Sequence, residues 1–166
     1  MAKIGEVSGT IVEDTGAIHR ANQTYHFAAR NGSVGAEAGF VQANDTGIVT
    51  VPASQTASTF CIPLNFKQGD IINSFKVSGQ AESAANAYTV DVDLRATTAV
   101  AGDLTDASVG AITQISKSAD YLIADEKTGL THTVISGNSY YALITVTTAA
   151  ATDVALQGIE VTITEN

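Results

Sequence analysis

Sulfur is nearly missing from this 166-residue chain: Cys61 is its only cysteine and Met1 its only methionine, so neither a disulfide framework nor a cysteine metal cluster is available. Tryptophan is absent, which removes the largest flat face a sugar ring can stack on. Basic residues are few. Against 17 Asp and Glu there are 8 Lys and Arg, and the resulting net charge of −9 repels a phosphate backbone, so no nucleic-acid partner is expected. Unbroken apolar runs are lacking too. Two long stretches without any charge, 46–66 and 128–152, are rich in Ser and Thr and interrupted by Pro52, Pro63, Gly137 and Asn138, so neither reads as a bilayer span and no membrane partner is expected. Residues 1–9 carry one Lys with no apolar run behind it, which argues against a secretory signal.

What the chain does have is β-branched residues. It holds 15 Val, 14 Ile and 21 Thr but only 7 Leu. Such side chains lose rotamer freedom in a helix and fit a pleated surface, so the composition points to strands. The 26 alanines sit largely in segments such as 81–87 and 149–151, beside Ser, Asn and Thr, and read as loops or strand ends.

Seven of the 14 glycines fall in the first 50 residues, among short apolar pieces. Strands are expected there at 10–13 and 24–29, but the segment has little with which to build its own core. It is read as an arm, residues 1–50, that leans on the rest of the chain, on a neighbouring copy or on another protein. From residue 51 the pattern sharpens. Strands are expected at 59–66, 71–79, 88–95, 109–115, 121–124, 130–135, 140–148 and 154–164, with turns at Lys67–Asp70, Asp125–Gly129 and Ser136–Asn138. In 71–79, Ile71, Asn73, Phe75 and Val77 share one side. In 88–95, Tyr88, Val90, Val92 and Leu94 alternate with Thr89, Asp91, Asp93 and Arg95, the clearest strand signal in the chain. The phase slips between Leu156 and Ile159, and a bulge at Gly158 would absorb it. Residues 102–108 read as a loop, with room for one helical turn at 105–109. About eight turn-bounded strands imply an all-β chain: an antiparallel β-sandwich over 51–166, with the jelly roll as one form of it, and an irregular Gly-rich arm before it.

Sites for chemistry are scarce. No nucleophile elbow, H-E-x-x-H, P-loop or dinucleotide fingerprint occurs. His19, His26 and His132 lack metal-ligand spacing and read as ordinary histidines. Asp91 and Asp93 share a strand face, as a calcium pair or an acid and base would, yet Thr89 and Arg95 beside them make a solvated polar face the better reading. Asp103 and Asp106 lack the rest of a calcium loop and read as a turn and a helix N-cap. Tyr88 and Tyr140 or Tyr141 fit a core edge. Cys61, between Phe60 and Ile62, reads as a small buried hydrophobe. No catalytic, cofactor-binding or metal residue is assigned, no cofactor is expected, and a non-enzymatic role follows.

The run from Ile62 through Pro63, Leu64, Gly69, Asp70 and Ile71 to Gln80, with Tyr88–Arg95 and Gly110–Ile115, resembles the small β-sandwich structural proteins of tailed bacteriophages. The resemblance covers about the last two-thirds of the chain. It implies a virion protein that decorates a capsid or belongs to a head or tail fibre, assembled in the host cytoplasm, often as a homotrimer, with other virion proteins, above all the major capsid protein, as partners. A module of a tail or fibre that binds a host glycan is the alternative.

Overall fold

The structure is a computed structural model that describes residues 22–29, 33–34, 42–43, 47–83, 87–117 and 121–166. Among these, strands β1 (Gln23–Ala28), β2 (Ser33–Val34), β3 (Gln42–Ala43), β4 (Val49–Val51), β5 (Ser58–Leu64), β6 (Ile71–Ser83), β7 (Tyr88–Val100), β8 (Asp103–Lys117), β9 (Tyr121–Ile123), β10 (Glu126–Lys127), β11 (His132–Thr133), β12 (Asn138–Thr148) and β13 (Thr152–Thr164) build two antiparallel sheets. The five-stranded sheet runs β2-β5-β12-β7-β8. In the other, β6 and β13 pair at the centre, with β9, β10 and β11 in succession along the free side of β6, β4 and β1 along that of β13, and β3 beyond β4. The protein is an all-β antiparallel sandwich. The strand expected at 10–13 lies outside the described residues.

Alternation decides the packing. Phe60, Ile62 and Leu64 of β5, Val90, Val92 and Leu94 of β7, and Ala142, Ile144 and Val146 of β12 all point inward and are buried. Facing them are Phe75 and Val77 of β6 with Leu156, Ile159, Val161 and Ile163 of β13. Burying each such large side chain stabilises the fold by about 1.5–3 kcal/mol.

Two register shifts keep β13 in phase. Leu156 faces Gly79 and Gly158 faces Ser78, so Gln157 is the extra residue and the slip expected near Gly158 is present. Gly158 is also required sterically: a Cβ there would collide with the Phe27 carbonyl of β1. The second shift, at Asn73, corrects the expected phase of 71–79. Ile72 rather than Ile71 points inward, because the bulge flips the strand face before Phe75. The expected loop at 102–108 and the helical turn at 105–109 are also corrected. Ala101 and Gly102 (φ +88°) close a tight turn, and β8 pairs with β7 from Asp103 onward. Both faces of that stretch are wet, so no alternation marked it. The strand expected at 130–135 shrinks to β11, which pairs with Ile71 and Ile72.

Polar ties close the ends. The buried Asp70 carboxylate accepts the backbone N–H groups of Lys67 and Asn166 at 2.9 and 3.3 Å, fixing the turn in which Gly69 takes φ +91°. At the other end the Thr148 hydroxyl donates to the Pro52 carbonyl and accepts the Gln55 N–H.

Candidate functional site

The strongest concentration of ionisable groups lies on the outer face of the five-stranded sheet. Register places Pro63, Tyr141, Arg95 and Ser108 side by side across β5, β12, β7 and β8, with Cys61, Leu143, Asp93 and Ala111 in the next row. Arg95 is the hub. Its Nη1 donates to Asp93 Oδ2 at 2.5 Å and its Nε to Asp106 Oδ2 at 2.7 Å. Tyr141 Oη donates to the same Asp106 oxygen at 2.9 Å, Thr97 Oγ1 to the other at 3.4 Å, and Ser108 Oγ to Asp93 Oδ1. Three strands, β7, β8 and β12, meet at the Asp106 carboxylate.

The charges respond to these contacts. The bond to Asp106 raises Arg95 above its already high value, with Asp93 adding to it against the cost of burial. Burial pushes Asp106 upward, but hydrogen bonds from Tyr141 and Arg95 and the guanidinium charge outweigh it and hold the carboxyl below the usual range. Tyr141 is raised, first by burial and then by its bond to ionised Asp106. A permanently charged Arg, an ionised Asp and a protonated Tyr make a static network, with no group poised to exchange a proton near neutral pH.

The other candidates from the sequence scatter. Asp91 points to the same face but accepts the Gln114 N–H at 2.7 Å, at a bulge in β8 where Gln114 takes φ +51°. It stiffens a bulge. Asp93 belongs to the Arg95 network. Asp103 accepts the N–H of Leu104 at the hairpin turn, as a turn residue does, whereas Asp106 sits in a strand and caps no helix. Cys61 is a correction: Phe60 and Ile62 point inward, so the thiol lies half-buried on the outer face, where burial and the charge of Asp106 push its pKa up and away from reactivity. His26 is exposed, 3.6 Å from Glu160. His132 Nε2 lies 3.0 Å from Tyr140 Oη, which also accepts the Ile135 N–H, and burial lowers the pKa of the ring. Tyr88 and Tyr140 are buried, as core-edge residues should be, and burial with nearby Tyr121 and Asp125 pushes Tyr88 up to about 12. His19 lies outside the described residues. Among the described residues no group of three His, Cys, Asp or Glu is arranged to hold a metal, and no helix is long and apolar enough to cross a membrane.

The sequence signalled the Asp91–Asp93–Arg95 face but missed Asp106 and Tyr141 as its partners. Joining them requires the β7–β8 hairpin and the β7–β12 register, which no local pattern announces.

No family model and no curated protein matches the chain. Among solved structures it is similar to the CBM36-1 domain of a multidomain xylanase from the hindgut metagenome of Trinervitermes trinervoides, at 12% identity and TM-score 0.47, covering 85% of this chain and 96% of that one. It is also similar to the C-terminal family 22 carbohydrate-binding module of a Clostridium thermocellum protein, at 13% identity and TM-score 0.43, over 82% and 91% of the two chains. A third is the enzymatically active domain of tailspike protein 4 of bacteriophage CBA120, at 11% identity and TM-score 0.37, where 86% of this chain matches 19% of that one. These likenesses are too distant to carry function, and the sandwich assignment rests on the strand pairing itself.

Proposed function

We propose that this protein is a non-enzymatic structural component of a virus particle, a capsid decoration or head-associated subunit that works by fitting against other virion proteins, the major capsid protein foremost. The observation that supports this best is the use made of the carboxylates on the most polar face. Asp91 closes a bulge, while Asp93 and Asp106 bind Arg95, Ser108 and Tyr141 across strands, so their lone pairs hold the sheet together. The interleaved order β4-β13-β6-β9 opposite β5-β12-β7-β8 favours a jelly roll, a closed two-layer body suited to a shell or its decorations.

The direct test is a binding assay on purified particles that lack the protein. Residues 23–28 and 49–51 are built into a sheet, so the informative deletion removes residues 1–21 and leaves β1 on β13. Saturable binding by the full chain, lost on this deletion while the β-sheet circular dichroism is kept, supports a particle subunit anchored by its N-terminal segment. Failure of the full chain to bind removes the reading.

A host-glycan module is the second reading, and the partly exposed Arg95, Asp93 and Tyr141 on one sheet face favour it. A glycan array probed with the wild type and with Tyr141→Phe and Arg95→Ala variants separates the two. Binding that both substitutions abolish would favour the glycan reading.

A further inference from the structure

The described residues on the outer face of the eight-stranded sheet form a trench that runs across its strands. Its floor is the row Ala28, Gly158 and Ser78, where β1, β13 and β6 pair side by side and no side chain is longer than a hydroxymethyl group. One wall is the row His26, Glu160, Lys76 and Glu126, across β1, β13, β6 and β10. The other is the row Leu122, Gln80, Ala155 and Thr50, across β9, β6, β13 and β4. At about 3.4 Å per residue, Lys76 and Gln80 set the walls roughly 14 Å apart along β6. Two open cavities of about 480 and 330 Å³ occupy the trench, and Ser78, Gln157 and Glu160 line both. Gln157 stands between them because it is the extra residue of the β13 bulge, which leaves it exposed. The polar groups here are loosely held. Ser78 Oγ lies 3.5 Å from Glu160 Oε1, His26 Nδ1 3.6 Å from the same oxygen and Lys76 Nζ 4.0 Å from Oε2, all longer than a good hydrogen bond, whereas the bonds from Arg95 and Tyr141 on the opposite sheet close at 2.5 to 2.9 Å. Side chains so weakly engaged with one another keep donors and acceptors for a ligand.

We infer that this trench is a binding site for a neutral oligosaccharide, which rests on the glycan reading and places the sugar on the sheet opposite Arg95. The chemistry of the walls selects the ligand. Gln80, Gln157 and Ser78 each donate and accept, Lys76 donates and Glu160 accepts, which matches sugar hydroxyls that do both. Leu122, 73% exposed at the rim, meets the C–H face of a ring. Other ligands fit worse. The charged wall sets two carboxylates against one ammonium, with His26 neutral at pH 7, and on a chain of net charge −9 it repels phosphate, sulfate and uronate groups. An apolar ligand would strip water from Gln, Lys and Glu side chains and leave them unpaired. A peptide that adds as a strand needs a sheet edge, whereas the trench lies on a face whose backbone groups are already paired.

Chemical-shift titration of the isotope-labelled full chain tests it, with cellopentaose, maltopentaose and mannopentaose as neutral probes and pentagalacturonate as the anionic one. Ser78→Tyr fills the floor, and Gln80→Ala combined with Gln157→Ala strips the wall; these side chains lie outside the core, and circular dichroism verifies the fold. Leu104→Ser, at the hairpin tip of the other sheet, is the control. The expected result is saturable binding of at least one neutral probe, with amide shifts over 76–80 and 155–160, at least tenfold weaker in Ser78→Tyr and in the double glutamine variant and unchanged in Leu104→Ser. Pentagalacturonate should not bind. Binding lost in Arg95→Ala but kept in Ser78→Tyr overturns the trench and keeps the glycan reading. Binding of pentagalacturonate alone overturns the neutral ligand class. If none of the four probes binds, the trench site is overturned, and a silent glycan array in addition removes the glycan reading itself.

Discussion

The two sheets of this sandwich are built differently. The five-stranded sheet is dominated by long strands, β7, β8 and β12, in which nearly every inward residue of β7 and β12 is buried and the outward ones, Ala99 and Ser139 aside, are half-covered. The other sheet has two long strands, β6 and β13, while its margins are patched from pieces of two to six residues. Short margins deny a neighbouring chain a long edge to pair with. The five-stranded sheet protects its β8 edge by another device, two bulges opposite Asp91 and near Arg95 that break the flat row of free backbone groups. One sheet supplies rigidity and the other is assembled around a central pair.

If that contrast is real, truncating buried side chains should hurt the two regions unequally. Ile144→Ala, in the middle of β12 between β5 and β7, should cost about 3–5 kcal/mol, the upper part of the range for such truncations. Ile123→Ala, equally buried but on three-residue β9, should cost about 2–3 kcal/mol because an edge strand can settle into the space. Urea unfolding of both variants measures the difference, and equal costs would erase the distinction.

Gly158→Ala comes next. The added methyl pushes β1 off β13 without touching the β6–β13 core, so a loss of about 1–3 kcal/mol is expected. Hydrogen exchange should show protection lost over 23–28 and kept over 152–156. Unchanged protection in β1 would mean the close approach at Gly158 is not needed.

The difference between the sheets also explains what could be read in advance. Strands with a covered inner face and wet outer face, such as 88–95 and 140–148, announced themselves by alternation, and the slip at Gly158 showed in the phase of its neighbours. β10 did not, because two residues carry no period and its place is set by β6, which likewise trims the strand expected at 130–135 to the two residues of β11. The first half of β8 was missed for the opposite reason: exposed on both faces, it is a strand only because β7 lies beside it. At Asn73 the bulge reversed the phase with Ile71 and Ile72 adjacent, so either isoleucine fitted the inward pattern. The polar face was half legible, since Asp91, Asp93 and Arg95 lie on one strand whereas Asp106 and Tyr141 reach it through pairing.

Acid should act on both regions, with modest effect. The Asp106 carboxyl is held below its ordinary value, so its contribution is complete above the normal carboxylate range, near pH 4, and is lost as pH falls through the folded value. His132 is lowered by burial, so the folded state resists its protonation and stability declines as pH drops below about 6.5. Thermal unfolding from pH 8 to 3 should show a shallow decline starting near the histidine range, absent in His132→Phe, and a steeper one at low pH that is reduced in Asp106→Asn. A flat profile through the histidine range would contradict the lowered pKa of the half-buried His132 ring.

The central claim is that the most polar face of the molecule is a brace, its charges committed to one another. A double-mutant cycle on Arg95→Met and Asp106→Asn, read by equilibrium unfolding, tests this most directly. The pair is partly exposed, so the account predicts a coupling of about 0.5–1 kcal/mol in favour of the native pair. Additive effects, with the double variant losing the sum of the singles, would show that these side chains do not depend on each other and would contradict the account.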